Sequence, residues 1–365
     1  MEEFASFSIS GRIARATLTR EKSLNSLTLD TINLLYENVS AWLQDDDISC
    51  IVLDSSSDRA FCAGADITRL YHEIKAGNLD YADAFFANEY RLDHMLHQAE
   101  KPILVWGSGV VMGGGLGLFS GCSHRVGTPD NRIAMPEITI GLFPDAGGTW
   151  LLSRLPDQLG IFAGMTGCQL SAGDALELGM LDYVLDHEQK APVLEELSTA
   201  EWSGETADNH RILSELLATF TVERDLPANL LAHRGAVRDL VERALASDDF
   251  FAVFESGLTD LRNEDWLATA ADTYAKGSPT TARVFLEQLG RAKEMSLADT
   301  FRMELAIACQ CARRADFPEG VRALLVDKDR NPAWSYVKTG DVPESHVAAH
   351  FSPSWEDTHP LSDLG

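Results

Sequence analysis

Between Lys101 and Arg154 the chain reads KPILVWGSGVVMGGGLGLFSGCSHRVGTPDNRIAMPEITIGLFPDAGGTWLLSR. An apolar strand, Ile103 to Trp106, passes through a turn into three consecutive glycines, Gly113 to Gly115, which open a helix of small residues. That order leaves few architectures open, because a strand feeding a helix through a tight turn belongs to a layered α/β structure. Glycines at a helix start leave backbone N–H groups bare and permit close approach, which suits a site for negative charge. Farther on, two acids, Glu137 and Asp145, sit in a frame of Pro, Gly and Phe instead of on a solvated helical face.

With 365 residues the chain can bury one large core or two smaller ones. Its formal charge of −26 argues against nucleic acid as a partner, since phosphate binding draws on a surplus of Lys and Arg. A polyanionic ligand would need a local basic patch to overcome the repulsive overall field. No apolar run reaches the roughly 18 residues a membrane span requires, so no membrane partner is expected. The segment MEEFASFSIS has neither a basic start nor an Arg-rich amphipathic stretch, so neither a signal nor a transit peptide is expected. The cysteines Cys50, Cys62, Cys122, Cys168, Cys309 and Cys311 show no C-x-x-C spacing and fall mostly in apolar segments. They read as reduced, buried thiols of a cytoplasmic protein.

Residues 4–18 alternate apolar and polar about Ser10–Gly11, which predicts a hairpin. Residues 27–43 carry apolar positions at helical spacing, and ISCIVLDSS reads as a strand covered on both faces. DRAFCAGADITRLYHEI is a turn around Gly64 leading into a helix, and a long helix follows over about 80–99. The strand–turn–helix unit repeats at KPILVWG and GGGLGLFSG, and RVGT and RIAM add two short strands. Such alternation implies right-handed crossovers and a mostly parallel sheet. From about 145 the character turns helical, through TWLLSRLP, SAGDALELG and 210–245. Ser278 before Pro279 and Ser296 before Leu297, Phe301 and Leu305 read as N-caps. The expected division is an α/β core over residues 1–186 and a helical carboxyl-terminal region over 187–365, with 187–209 a polar connector.

AFCAGADI (60–67) and VVMGGGLGL (110–118) resemble the two oxyanion-loop motifs of the enoyl-CoA hydratase/isomerase (crotonase) superfamily. MPEITIGLFPDAGGTWLLSRLP (135–156), TGCQLSAGDALELGMLDYV (166–184), GSPTTARV (277–284) and DFPEGVRALLVDKDRNPAW (316–334) are similar to its 3-hydroxyisobutyryl-CoA hydrolase branch. The likeness spans most of the chain and is weakest between about 187 and 270. It implies a spiral core of repeated ββα turns with carboxyl-terminal helices. It also implies an acyl-CoA substrate, with coenzyme A part of that substrate and no separate cofactor or metal. The implied reaction is thioester hydrolysis of a short hydroxyacyl-CoA, as in valine breakdown. By motif match the oxyanion donors are the backbone N–H groups of Ala65 and Gly114, and losing one such donor typically costs ~2.7–4 kcal/mol. Glu137 takes the role of nucleophile or general base, and both routes stay open. Asp145 would carry the proton, with a raised pKa in an apolar wall. Read from residues alone, Asp145 is the N-cap of the helix in AGGTWLLSRL. Glu89 would accept a hydrogen bond from a substrate hydroxyl. Glu89, Gly114, Glu137 and Asp145 are together the implied substrate contacts. Phe143 and Trp150 are either walls of the acyl pocket or core.

Hydratases of the superfamily carry a first glutamate two residues after the glycine triplet, where this chain has Gly117. Dienoyl-CoA isomerases do space a Glu and an Asp as here, and with a non-catalytic CoA-binding member they are the rival readings. Residues 107–117 do not fit G-x-G-x-x-G, since Met112 stands where the third glycine belongs. Glu21–Lys22 replaces the Arg–Pro common in the family, leaving Arg20 and Lys22 as nearest cations for a phosphate. His94 and His97 sit at i, i+3 without an evident third ligand and read as a solvated face. Ser108 lacks the spacing of a nucleophile elbow. Superfamily members often form trimers or hexamers, so a homo-oligomer is one expectation.

Overall fold

A computed structural model describes residues 4–365; the first three residues of MEEFASFSIS, on which part of the leader reading rests, lie outside the described residues. Strands β1 (Ala5–Ser10) and β2 (Ile13–Leu18) form the expected antiparallel hairpin, with Ser10 opposite Ile13. Then come β3 (Cys50–Ser55), β4 (Ala60–Cys62), β5 (Ile103–Gly107), β6 (Val110–Met112), β7 (His124–Gly127), β8 (Arg132–Ala134) and β9 (Tyr183–Val184). Six strands pair in the order β1-β2-β3-β5-β7-β9, parallel from β2 onward. The short strands β4, β6 and β8 form a second sheet in that order. Each of β3, β5 and β7 in the large sheet is therefore followed by one short strand in the small sheet, and that alternation is the spiral. Strand β6 escaped the sequence reading, which took the chain from the strand at 103–106 through a turn into the glycine helix. Its β-branched Val110 and Val111 suit the pleat, and Gly109 turns the chain back with φ +58.

The chain divides into two compact units. The first comprises the chain to Ala65, Arg91–Ile133 and Leu170–Ala228; the second comprises Asp66–Tyr90, Ala134–Gln169 and Asn229–Gly365. A break near residue 186 is therefore corrected: both units are assembled from interleaved segments. Parallel strands must be joined by crossovers, and each crossover can carry its segment into a different core.

In the first unit every residue of β3 is buried, as a strand covered on both faces requires. One face, with Ile13, Cys50, Val52, Leu104, Trp106 and Val126, packs on Val193, Leu197, Leu213 and Leu217. Those four come from the helices Lys190–Thr199 and Thr206–Phe220. The expected polar connector at 187–209 thus contains a helix, Lys190–Thr199, whose two buried residues complete the core under an acidic outer face. Lys190 anchors it: its Nζ lies 2.7 Å from Asp54, which Arg15 also holds at 2.6 Å and which is fully buried. A buried carboxylate with two cations and the Thr17 hydroxyl at 2.6 Å is paired in the way burial of charge demands.

The second unit is largely helical. The expected helix at 210–245 is two main helices, Thr206–Phe220 of the first unit and Arg234–Leu245 of the second, separated by a non-helical stretch in which Pro227 cannot continue a helix. Ser278 caps Pro279–Ala292 by accepting from Thr281 N at 3.2 Å, and Ser296 caps Leu297–Ala312 by accepting from Asp299 N at 3.1 Å. No helix among the described residues is long and apolar enough to cross a membrane.

Candidate active site

The first unit holds both glycine turns. After β4 the chain turns at Gly64, whose φ of +99 favours glycine. Leu27 N donates to Gly64 O at 2.8 Å, and Ala63 N donates to Leu24 O at 3.0 Å. Buried Asn25 braces the same loop, donating from Nδ2 to Phe61 O at 3.0 Å and to Ser55 Oγ at 2.7 Å. The helix Gly114–Ser120 starts directly beside this loop: a Cβ on Gly64 would lie 3.2 Å from Met112 O and 3.5 Å from Gly114 N. At the first helical residue the Gly114 N–H has no acceptor one turn earlier. No turn or loop hydrogen bond between backbone groups among the described residues uses the Ala65 N–H. The two amides named by motif thus belong to adjoining turns.

Packing and donor roles separate along the triplet. A Cβ on Gly115 would meet Cys62 O at 2.4 Å, a backbone contact that cannot swing aside, so this glycine serves close approach. Gly115→Ala is expected to cost on the order of 1–3 kcal/mol by overpacking, read as a lower denaturant midpoint at unchanged m-value. Gly117 is buried inside the same helix.

The second unit holds the acids. Glu137 opens a 3-10 turn over Glu137–Ile140 and is 5% exposed. The two distant blocks noted in the sequence grip this turn. Ser278 N donates to Ile138 O at 2.9 Å, and the backbone of Gly320 lies against that of Ile140. The Ser278 hydroxyl also donates to Asp316 at 3.0 Å, tying one block to the other. Asp145 is 4% exposed and Glu89, on the helix Leu79–His97, is 1% exposed. Glu89 Oε1 and Glu137 Oε2 are buried and make no hydrogen bond within the chain, a cost of roughly 1–3 kcal/mol each.

Burial sets the proton affinities. It pushes Glu137 well above the usual carboxylate range, and the charge of Asp145 adds to the effect. Glu89 is raised likewise, first by burial and then by Asp145, Glu137 and Glu304. Asp145 rises to about 6 by burial, opposed by the hydrogen bond it accepts from Tyr90 OH at 2.7 Å. These acids oppose one another's ionisation, so they share protons as a set.

The N-cap role for Asp145 does not hold. The helix Gly148–Leu152 is capped at Gly147 with no side-chain bond from a neighbour. Its amides go instead to Glu304, which accepts from Gly147 N at 2.9 Å and Thr149 N at 3.0 Å. Sequence reasoning missed Glu304, although a signal was present: it lies on the stripe marked by Phe301 and Leu305, where an acid is out of place. Burial lifts Glu304 to about 8, against its bonds to Thr149 and Gly147. Tyr90 and Gln288, both 0% exposed, were also missed.

Phe143 is fully buried, whereas Trp150 is half-buried under the Arg154 guanidinium. His94 is buried and His97 is lowered to about 4 by burial, His94 and Arg125, which corrects the solvated-face reading. Among the described residues no group of three or more His, Cys, Asp and Glu is arranged to hold a metal. Arg20 donates to Ser26 O at 2.5 Å, and Lys22 is exposed.

A family profile described as Enoyl-CoA hydratase/isomerase matches residues 13–351. The protein named 3-hydroxyisobutyryl-CoA hydrolase, mitochondrial, of Danio rerio is 32% identical over 356 residues, covering 94% of this chain and 87% of that protein. The Homo sapiens protein of the same name is 33% identical over 335 residues, covering 92% and 85%. A crystal structure of a carnitinyl-CoA dehydratase from Mycobacterium thermoresistibile matches with a TM-score of 0.85 at 32% identity, over 96% of this chain and 97% of that one.

Proposed function

The chain belongs to the enoyl-CoA hydratase/isomerase family, and from that membership we propose that it hydrolyses the thioester of 3-hydroxyisobutyryl-CoA or a similar short hydroxyacyl-CoA. The observation that carries the reading is the pair Glu137 and Asp145, both buried, both with raised proton affinity, and neither used to cap a helix. The names of the curated relatives point the same way.

In the proposed reaction the N–H groups of Ala65 and Gly114 stabilise the oxygen of the attacked carbonyl as it becomes an oxyanion. Glu137 either attacks the carbonyl carbon, giving a mixed anhydride that water then opens, or takes the proton of an attacking water. In both routes the C–S bond breaks, and Asp145 delivers the proton that the leaving thiolate takes up. The bare Glu89 Oε1 is assigned the hydroxyl of the acyl group. A buried polar group left unpaired penalises acyl groups that lack the hydroxyl, which turns one hydrogen bond into selectivity.

Addition of water to an enoyl double bond is disfavoured because Gly117 has no side chain where the hydratases place their first glutamate. Isomerisation of a dienoyl-CoA remains the competing chemistry, since it too uses a Glu and an Asp. Thiol release separates them. With a panel of acyl-CoAs, free thiol is expected from 3-hydroxyisobutyryl-CoA and much less from isobutyryl-CoA. Double-bond migration in a dienoyl-CoA without thiol release would overturn the assignment. The inferred setting is a reducing compartment such as the cytoplasm, supported by six buried cysteine thiols without C-x-x-C spacing. The vertebrate relatives, by contrast, are named as mitochondrial. A place in valine breakdown follows from the same substrate.

A further inference from the structure

The turn bearing Asp145 has an unusual construction. Ala146 and Gly147 both adopt positive φ, +50 and +80, and Ala146 is buried. A non-glycine residue held there stores strain that the surroundings must offset. An aspartate just before bare helix N–H groups would ordinarily fold back and accept from them. Here Glu304, reaching in from Leu297–Ala312, occupies both the Gly147 and the Thr149 N–H. Gln288, from Pro279–Ala292, donates to Pro144 O at 3.0 Å and to the Thr149 hydroxyl. The turn is thereby held on both sides of Asp145 by two fully buried polar side chains. The Asp145 carboxyl accepts from Tyr90 OH instead.

We propose that Glu304, assisted by Gln288, is a positioning residue for Asp145: by taking over the helix cap it keeps the Asp145 carboxyl out of the Gly147 and Thr149 amides and free for proton transfer. The inference rests on the hydrolase reading only for what Asp145 then does; the positioning itself is a property of the turn. Around Asp145 the titratable groups are Glu89, Tyr90, Glu137, Glu304 and Cys311. Apart from Tyr90 and Cys311 all are carboxyls. Glu304, raised to about 8, carries little charge where Asp145 titrates near 6, so the direction is set by the two released amides, which favour ionised Asp145.

The test is Glu304→Gln, which keeps the shape but presents an N–H₂ to one of two N–H donors. Steady-state thiol release is expected to show kcat down about 10–100-fold with KM nearly unchanged, the size of a misplacement near 1 Å. Carboxyl-carbon NMR of the substrate-free protein is expected to show the Asp145 titration moved down by about one pH unit. Gln288→Met should move both readouts the same way by a smaller amount, and it serves if Glu304→Gln does not fold. An Asp145 titration unmoved in a folded variant overturns the proposal, even if melting temperature falls, because a merely structural cap would do only that. If the wild-type protein releases no thiol, the hydrolase reading fails, while the NMR titration still decides this one.

Discussion

Glu137→Gln is expected to lower kcat for thiol release by about 10²–10⁴-fold, the range of a positioned acid–base group, with KM changed little. The substitution keeps the volume and one acceptor oxygen, so the 3-10 turn gripped by Ser278 and Gly320 has no reason to move. What disappears is the negative oxygen that attacks carbon or water. Stability should move the other way. The folded-state pKa of Glu137 lies above its usual 4.5, so the native protein holds a proton that the unfolded chain has already released. Its contribution is therefore fullest below pH about 4.5 and is lost as pH rises towards the raised value. Gln, which never ionises, should raise the melting temperature more at pH 8 than at pH 5. A variant with full turnover would remove Glu137 from the mechanism. Hydroxylamine added during turnover should yield a hydroxamate at Glu137 if the mixed anhydride forms, and none if water is activated directly.

Asp145→Asn should cost about 10²–10³-fold in kcat, since Asn keeps the contact with Tyr90 but has no proton to give at ordinary pH. Its more telling signature is the pH profile. Glu137 must be ionised and Asp145 protonated for the proposed step, so wild-type kcat/KM should be bell-shaped, with apparent values belonging to the coupled set. Because burial raises both groups, the whole bell is expected above the usual carboxylate range. Asn should abolish the alkaline limb and leave a single acidic limb, moved to lower pH because the charge of Asp145 no longer helps raise Glu137. An unchanged bell in Asp145→Asn assigns the proton to another group, of which Glu304, raised to about 8, is the first candidate.

Much of the fold could be read directly from the chain. The hairpin about Gly11, the doubly covered strand at Cys50–Ser55 and the caps at Ser278 and Ser296 are local features. Each depends on residues close in sequence, and periodicity and cap chemistry report such things well. The same holds for Ala65, Gly114, Glu137 and Asp145 as candidates, because a short motif carries its own turn. The readings that failed were tertiary. Residues 187–209 look polar because a surface helix needs few buried positions, here Val193 and Leu197, and composition averages those two away. His94 looked like half of a solvated pair, but burial is decided by what packs over a helix and not by the helix itself.

The sequence alone therefore indicated most of the strands and helices, the family likeness and the candidate acids Glu89, Glu137 and Asp145, since all of these are encoded within short windows. Only the tertiary structure decided what each acid is free to do. A carboxyl beside bare helix amides is a cap unless something else takes those amides. Here that something is Glu304, whose bond to Gly147 bridges 157 positions of the chain. Local pattern shows at most an acid out of place on an apolar stripe and does not name its partner, because the energy that forms the pairing comes from burial of two segments that are neighbours only after folding.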